Sequence, residues 1–334
     1  MEQVSQWEKA YTHGGDVYRN EKIRMDFSIN INPLGMPDFI KQAAMDGVEE
    51  STRYPDSRCR RLRRLAAGFY GVQEETLVFG NGAAELIFGI VRAVSPRRAV
   101  LTAPSFTEYE AALSSVGAEV LFFPLKEEED FSLPADRYLD FLKSARPDMI
   151  FLCNPANPTG RLTPGEEICR ILEFCTVQGI LAVVDECFLG FTASCGDTLD
   201  ARVASSPHVV VLHAFTKLHG MAGLRLGYLL SSDEDLVRRV YLAGPPWPVS
   251  TPAQAAGVAA LSDHEFVART RELIDIERPR MMALLAAAGC RVVPGEANYV
   301  LFRLMRDAAP MADAADVLAL AGVIVRDCSN YTGL

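Results

Sequence analysis

The sequence predicts an α/β protein with a mostly parallel sheet of seven strands, helices on both faces of that sheet, and a small additional α+β domain. Two observations predict this class. Short apolar runs alternate with helical patterns along most of the 334 residues, which is typical of a parallel sheet covered by helices. The runs are also continuous in Val, Ile and Leu, as expected for strands buried on both faces. The predicted strands are 77–79, 99–102, 119–123, 149–153, 181–184, 209–212 and 226–230.

The pattern changes after a cluster of prolines at 245–248. A long helical stretch over about 252–288 follows, and then three short strand-like runs at 291–293, 299–303 and 323–326. We therefore predict an N-terminal arm that forms part of the small domain, a large ligand-binding domain, and a small C-terminal domain. Their predicted limits are 1–45, 46–246 and 247–334.

Composition and charge argue against several classes of protein. The formal net charge is −10, so a nucleic-acid partner, whose phosphates would be repelled, is not expected. Residues 1–9 lack the apolar core of a signal peptide, and no apolar run reaches the roughly 20 residues of a membrane span. The eight cysteines form no C-x-x-C pair and no zinc-like cluster, so we expect no metal and a reducing, cytoplasmic setting.

Five loops with chemically notable residues follow the predicted strands. The carboxyl ends of parallel strands meet at one edge of a sheet, and open α/β sheets bind their ligands at that edge. The loops are Gly80-Asn81-Gly82, Pro104-Ser105-Phe106, 154–160, Asp185-Glu186 and Thr216-Lys217. Five such loops at one edge predict a site more strongly than any one of them alone.

Lys217 is the first candidate for the chemistry of this site. It is the only lysine after Lys143, and it follows a predicted buried strand. A charged amine is costly to bury, so the pKa of Lys217 should fall and its free amine should become available for imine chemistry. The alternative is a partly exposed lysine at a strand end. Arg225 lies eight residues later and favours the first interpretation, because it can reach a phosphate near Lys217.

The remaining loops extend this hypothesis. Asp185 ends an apolar strand and needs a partner, which a protonated pyridine nitrogen would supply; an N-cap or a local salt bridge is the alternative. The Asn157 amide, in a turn-forming sequence, can donate to a phenolic oxygen. Phe106 can stack on a ring, although a lone aromatic is more often core. The glycine turn at 80–82 precedes a predicted helix, 83–94, and either binds a phosphate or is simply a tight turn.

In combination, these residues resemble the fold-type-I aminotransferases of classes I and II. Asn157-Pro158-Thr159-Gly160, Asp185-Glu186, and Thr216-Lys217 followed by the segment 223–227 have the order and separations of that family. The resemblance covers essentially the whole chain. It implies the fold-type-I architecture and pyridoxal 5′-phosphate as the cofactor.

Three further stretches narrow the resemblance. His13-Gly14-Gly15-Asp16, with the segments 26–35 and 326–331, is similar to the L-threonine-O-3-phosphate decarboxylases of cobalamin synthesis. The related histidinol-phosphate aminotransferases share Arg53-Tyr54-Pro55-Asp56, but they usually lack the His-Gly-Gly start and carry Tyr where Phe188 stands.

The resemblance implies a role for each matched residue. Lys217 would hold the cofactor as a Schiff base, and Asp185 would pair with its pyridine nitrogen. Asn157 would donate to the ring hydroxyl, and Phe106 would stack on the ring. The residues implied at the cofactor phosphate are Gly82, Ala83, Ala84, Thr216 and Arg225. Tyr54 would reach the phosphate in a neighbouring subunit, so a homodimer is expected.

The implied substrate is a small phosphorylated amino acid, bound by His13, Gly14, Asn32 and Arg326. Three positions depart from the family pattern. Ala214 stands where a Ser or Thr commonly contacts the cofactor phosphate, His213 stands where the decarboxylases often have Arg, and Phe188 replaces a tyrosine of many aminotransferases. The family also continues past Leu334 with a strand whose arginine clamps the substrate carboxylate. Two alternatives follow: the sequence is shortened, or the enzyme holds its substrate differently.

These implications lead to two main hypotheses. The first is decarboxylation of L-threonine O-3-phosphate to (R)-1-amino-2-propanol O-2-phosphate and CO2, with serine phosphate as a related substrate. The second is amino transfer on histidinol phosphate or an aromatic amino acid, because the bond that breaks depends on how the substrate is held. The sequence is also compatible with a shortened, inactive relative and with a non-catalytic cofactor-binding domain of a transcription regulator.

Overall fold

The strands of the molecule form one large sheet and two small ones. The structure is a computed structural model that describes residues 13–19, 22–194, 198–199, 206–305 and 311–334. The strands in chain order are β1 (Met25–Phe27), β2 (Leu77–Gly80), β3 (Arg98–Ala103), β4 (Glu119–Pro124), β5 (Met149–Cys153), β6 (Leu181–Asp185), β7 (Val209–Ala214), β8 (Gly227–Leu230), β9 (Cys290–Val292), β10 (Phe302–Leu304) and β11 (Val323–Val325). Residues 1–9, which were predicted to lack a signal-peptide core, and Cys195 lie outside the described residues.

The large sheet contains seven strands in the order β2-β8-β7-β6-β5-β3-β4. Strand β8 runs antiparallel to β2 and to β7, and all other neighbouring strands are parallel. The predicted mostly parallel seven-stranded sheet is therefore confirmed. Strand β7 is two residues longer than predicted, because its pairing with β8 continues through His213 and Ala214.

Helices cover both faces of the large sheet, as predicted. In chain order they are α1 (Asp38–Glu49), α2 (Arg60–Tyr70), α3 (Gly82–Val94), α4 (Thr107–Ser115), α5 (Ala135–Ala145), α6 (Gly165–Gln178), α7 (Phe215–Leu218), α8 (Glu234–Ala243), α9 (Thr251–Ala260), α10 (His264–Ala287) and α11 (Met311–Leu320). Side chains of α3, α4 and α8 pack on one face, and those of α1, α2, α5, α6 and α9 pack on the other. Within β6, Val183 packs on the α3 side and Val184 on the α1 side, which explains the continuous apolar runs.

Two short sheets complete the fold. Strand β1 pairs in parallel with β11, with Met25 opposite Val323, so the N-terminal arm joins the last strand. Strands β9 and β10 form an antiparallel pair in which Arg291 lies opposite Arg303. Both guanidinium groups form ion pairs with Glu127, which follows β4, at 3.1 and 2.7 Å. These ion pairs attach the antiparallel pair to the large sheet, while the domain limits at 45 and 246 stay a prediction.

The helical stretch predicted over about 252–288 is two helices, α9 and α10. The break falls where the Asp263 side chain accepts a hydrogen bond from the Phe266 backbone amide at 3.0 Å and begins α10. A carboxylate at this position satisfies a free amide of the first turn and so favours a helix start. Similarly, the strand predicted at 299–303 begins only at Phe302, because the residues before it contact a distant loop.

Within the described part of the chain, no helix combines the length and the apolar character that crossing a membrane requires. The described residues also contain no group of three or more His, Cys, Asp or Glu side chains arranged to hold a metal ion.

Helices α1 and α9 pack closely at Gly47, where an added Cβ would lie 2.8 Å from the Pro252 Cα; Gly68, inside α2, has nothing within 4 Å. We expect Gly47→Ala to lower the free energy of unfolding by about 1–3 kcal/mol, because backbone cannot move aside easily. Gly68→Ala should raise it by roughly 0.5–1 kcal/mol through helix propensity. Denaturant unfolding measures both, and equal effects would contradict the close packing.

Candidate active site

Three strand ends lie side by side at the carboxyl edge of the large sheet. In the register of β5, β6 and β7, Cys153 is opposite Asp185, and Asp185 is opposite Leu212. Strand β7 ends at Ala214, and α7, which carries Lys217, begins at the next residue. The parallel arrangement therefore brings Asp185 and Lys217 to the ends of neighbouring strands, as the sequence predicts.

The Lys217 side chain is half-buried and makes no hydrogen bond or ion pair with another described residue. Burial lowers the pKa of Lys217, an effect that the nearby Cys187 thiol opposes and the Arg225 guanidinium reinforces. The amine is therefore more often neutral than that of an ordinary lysine. A neutral amine without a partner is suited to attack an aldehyde.

Asp185 is the counterpart of Lys217, and it is only 5% exposed. One carboxylate oxygen accepts a hydrogen bond from the Tyr109 hydroxyl at 2.7 Å, and the other accepts one from the Cys187 backbone amide at 2.9 Å. No cation in the described ranges pairs with it. A buried carboxylate with two neutral donors still lacks a positive charge, and a protonated ring nitrogen would supply it.

The sequence reasoning missed Tyr109, although a signal for it exists. Tyr109 lies three residues after Phe106, in the first turn of α4, so both side chains fall on one side of the helix start. The two rings meet edge to face, with centroids 5.5 Å apart at 83°. Burial raises the pKa of Tyr109 well above 10, and the negative charge of Asp185 raises it further. The phenol therefore stays protonated and donates to Asp185.

The start of α3 forms a cradle for an anion. Gly82 opens the helix with a φ of 78°, and a Cβ there would lie 2.6 Å from a guanidinium nitrogen of Arg225. A Cβ on Gly227 would lie 2.6 Å from the Ala83 backbone nitrogen. Arg225 itself has a φ of 61°, which non-glycine residues rarely adopt and which is often found at functional sites. The free amides of a helix start and an adjacent guanidinium together favour phosphate.

Thr216 and Asn157 border the same edge of the sheet. Thr216 is buried in α7, directly before Lys217. Asn157 is half-buried in the loop after β5. Both residues thus lie where the sequence predicts, at the ends of strands that neighbour β6.

Two of the predicted substrate residues approach this edge. His13 Nε2 lies 3.2 Å from a carboxylate oxygen of Glu108, in the first turn of α4 beside Phe106. The buried Asn32 donates from its backbone amide to the Lys217 carbonyl at 3.0 Å and from its side chain to the Leu218 carbonyl at 2.7 Å. Asn32 therefore holds α7 in place through these two hydrogen bonds. Glu108, the partner of His13, is a second residue that was not predicted from the sequence.

The other predicted residues lie in different settings. A Cβ on Gly14 would lie 1.9 Å from the Ser28 carbonyl oxygen, so only glycine fits there. Arg326 donates to the Asn330 side chain at 2.9 Å and stacks over the Tyr331 ring at 5.5 Å. Tyr54 stacks on Trp247, with ring centroids 4.4 Å apart, and is 79% exposed. Both side chains thus contact neighbours within this chain, and the ligand contacts expected of them stay predictions.

The residues at the edge fit the three chemical parts of pyridoxal 5′-phosphate. Lys217 offers an amine for the aldehyde, Asp185 offers a buried negative charge for the pyridine nitrogen, and the Gly82–Arg225 cradle suits the phosphate. The groups at this edge of the sheet are thus chemically complementary to the aldehyde, the ring nitrogen and the phosphate of this cofactor.

Comparison with known proteins finds relatives over nearly the whole chain. The family model for class I and II aminotransferases matches residues 22–332. A threonine-phosphate decarboxylase of Salmonella typhimurium is 34% identical over 330 residues, covering 96% of this chain and 89% of that protein. A histidinol-phosphate aminotransferase of Thermococcus gammatolerans is 33% identical over 329 residues, covering 98% and 89%. The structure of the histidinol-phosphate aminotransferase from Clostridium acetobutylicum aligns with a TM-score of 0.85 at 26% identity, over 93% of this chain and 91% of that one.

Lys217→Ala should abolish the visible absorption band that appears when an aldehyde cofactor binds covalently, because it removes the amine. Lys143→Ala is the control: Lys143 is exposed and paired with Asp140 at 2.8 Å, and its loss should leave the band intact. In wild type, the rate of band formation should fall as pH falls, since protonation removes the nucleophile. Its midpoint should lie below the ordinary lysine value of 10.5, because burial lowers the pKa of Lys217. A band in Lys217→Ala would exclude Lys217 as the attachment point.

Tyr109→Phe should leave Asp185 with one donor and lower the free energy of unfolding by about 1–3 kcal/mol. It should also weaken cofactor binding, measured by titration of the apo protein. Tyr138→Phe is a matched control, because the Tyr138 hydroxyl is buried without a hydrogen-bond partner and its removal should cost little. Equal losses in the two variants would argue against a role for Tyr109 at Asp185.

Proposed function

Because this chain belongs to the class I and II aminotransferase family, we propose that it is a decarboxylase that converts L-threonine O-3-phosphate to (R)-1-amino-2-propanol O-2-phosphate and CO2. It has the fold-type-I architecture of that family and takes pyridoxal 5′-phosphate as its cofactor. The proposed place of the reaction is cobalamin synthesis. The threonine-phosphate decarboxylase relative, similar over nearly the whole chain, supports this choice of substrate.

The observation that carries the proposal is the position of the His13 loop. His13 lies 3.2 Å from Glu108, in the first turn of the helix that follows Phe106. Imidazole N–H groups donate to phosphate oxygens. In the proposal Phe106 stacks on the cofactor ring, so His13 meets the phosphate of a substrate bound at that ring. Gly14 allows this loop to pack directly on the Ser28 carbonyl.

In the proposal, each residue of the site has a separate chemical role. When bound, pyridoxal phosphate supplies a protonated ring that accepts the electron pair released as a bond to the α-carbon breaks. Asp185, held by Tyr109, keeps the ring nitrogen protonated. Lys217 would hold the cofactor at its aldehyde carbon, and the lowered pKa of its amine would suit it to exchange a proton with the α-carbon of the substrate.

The choice of bond rests on how the substrate is oriented. Only a bond perpendicular to the ring plane can pass its electrons to the ring. In the proposal, Arg326 and His13 hold the two anionic groups of the substrate so that the carboxylate takes that position and leaves as CO2. Arg326 must then exchange its contact with Asn330 for one with the substrate.

Amino transfer on histidinol phosphate is the second candidate. The 33% identity to a histidinol-phosphate aminotransferase over 98% of this chain supports it, as does the shared Arg53-Tyr54-Pro55-Asp56. In this case a hydrogen, and not a carboxylate, would be held perpendicular to the ring, and Lys217 would remove it.

The proposed assembly is a homodimer in the cytoplasm. Tyr54 is 79% exposed and lies on an exposed aromatic pair with Trp247, which suits a contact with a second copy. Further exposed apolar side chains lie on the neighbouring helices: Phe39, Met45, Val48, Leu65 and Phe69. A second copy would bury these side chains and bring its cofactor phosphate within reach of Tyr54.

With L-threonine O-3-phosphate and no amino-group acceptor, we expect the holoenzyme to release CO2 and the corresponding phosphorylated amine in equal amounts. Histidinol phosphate with 2-oxoglutarate should give no amino transfer. His13→Ala should raise the KM for the phosphorylated substrate about tenfold or more, through loss of a charge-assisted contact. CO2 trapping and chromatography of the amine measure both products.

His208→Ala is the matched control for this experiment, because His208 directly precedes β7, at the opposite edge of the sheet, and should leave the KM unchanged. Amino transfer without CO2 release would replace the decarboxylase proposal with the second candidate. An unchanged KM in His13→Ala would remove His13 from the substrate phosphate.

A further inference from the structure

A short segment near the C-terminus, residues 294–299, holds the loop that carries Asn157. The Glu296 backbone amide donates to the Gly160 carbonyl at 2.8 Å, and the Glu296 carboxylate accepts from the Leu162 amide at 2.8 Å. The Arg161 guanidinium donates to the Pro294 carbonyl at 2.8 Å. The two backbones also touch at glycines, since a Cβ on Gly295 would lie 3.1 Å from the Gly160 Cα. The loop is therefore fixed from outside by a distant part of the chain.

Tyr299 makes the contact of this segment that lies nearest to Asn157. Its hydroxyl donates to the Ala156 carbonyl at 2.9 Å. That carbonyl belongs to the peptide group whose N–H is the backbone amide of Asn157, and it also accepts a hydrogen bond from the Gly160 backbone amide at 2.6 Å. The carbonyl of the peptide group before Asn157 is thus held by two donors, one of which is the Tyr299 hydroxyl. The orientation of this peptide group determines the direction in which the Asn157 side chain leaves the backbone.

The surroundings of Tyr299 join it to the site. Its ring packs edge to face on Phe188, with centroids 5.0 Å apart at 78°, and Phe188 follows Asp185 by three residues. Burial raises the pKa of Tyr299 well above 10, and the Cys153 thiol and the Asp185 carboxylate raise it further. The phenol is therefore protonated throughout the working range of pH and remains a donor to Ala156.

We propose that Tyr299 is a positioning residue, whose hydroxyl fixes the Ala156–Asn157 peptide so that the Asn157 side-chain amide meets the ring oxygen of the cofactor. The inference rests on the place proposed for Asn157 and is independent of whether the enzyme releases CO2 or transfers an amino group. Phe188, which carries no hydroxyl, supports the ring of Tyr299 and leaves Asn157 as the donor from this side.

This role has a spectroscopic consequence. A donor at the ring oxygen stabilises its ionised form, so the bound cofactor changes protonation state, and colour, at a lower pH than it would without the donor. If Tyr299 positions that donor, removing its hydroxyl weakens the contact and raises the pH of the colour change. A residue that only braces the fold would change stability and leave this pH unaltered.

The test is a pH titration of the visible absorption of the holoenzyme in wild type, Asn157→Ala and Tyr299→Phe. We expect Asn157→Ala to raise the midpoint by about one pH unit and Tyr299→Phe by about half a pH unit. Two controls separate positioning from bracing. Glu296→Ala removes the side-chain contact of the same segment with Leu162, and Tyr138→Phe removes a buried hydroxyl elsewhere; both should keep the wild-type midpoint.

Each outcome of the titration either supports or overturns the inference about Tyr299. A raised midpoint in Tyr299→Phe with wild-type midpoints in both controls supports the inference. A shift in Asn157→Ala alone overturns it, and so does an equal shift in Glu296→Ala, which would assign the effect to the whole segment. No shift in Asn157→Ala removes the proposed place of Asn157 and the inference with it, while CO2 release by that variant would still test the proposed reaction separately.

Discussion

A buried carboxylate with which no cation of the described residues pairs is the constraint on which this site depends. Asp185 lies at the end of a strand that is apolar on both faces, and its two hydrogen bonds come from a phenol and a backbone amide, both neutral. Such a group raises the free energy of the folded protein unless a cation joins it. A ligand that carries a protonated ring nitrogen satisfies the carboxylate, so cofactor binding and stability are linked through the same atoms.

The large sheet brings the site residues together because the carboxyl ends of its parallel strands lie at the same edge. In the proposed site, each part of the cofactor would meet the end of a different strand: the ring nitrogen at β6, the aldehyde after β7, and the phosphate between β2 and β8, where α3 begins. Close approach at the last of these places depends on Gly82 and Gly227, whose missing side chains let the helix start reach Arg225. The order of the strands therefore determines which functional groups meet, whereas the local sequence determines only which functional group each loop carries.

Much of the fold and part of the site could be predicted from the sequence. Strands buried on both faces have continuous apolar runs, so all seven strands of the large sheet were found. Asp185 ends one of them, and Lys217 and Asn157 lie shortly after the ends of two others. Tyr109 and Tyr299 were missed because their roles come from contacts and not from motifs. Tyr109 acts through a carboxylate 76 positions away, and Tyr299 through a carbonyl 143 positions away. The spacing from Phe106 places Tyr109 on the right side of its helix, but both pairings depend on how whole elements pack, which no local pattern encodes.

The pairing of β1 with β11 has a consequence for the order in which the protein can form. Every strand of the large sheet leaves the ribosome before Val323, the residue that lies opposite Met25. The cofactor-binding edge can therefore assemble while the chain is still being synthesised, whereas the N-terminal arm with His13 must wait for its partner strand. The edge proposed for the coenzyme is thus complete in the chain before the strand pair that anchors the proposed substrate-binding arm.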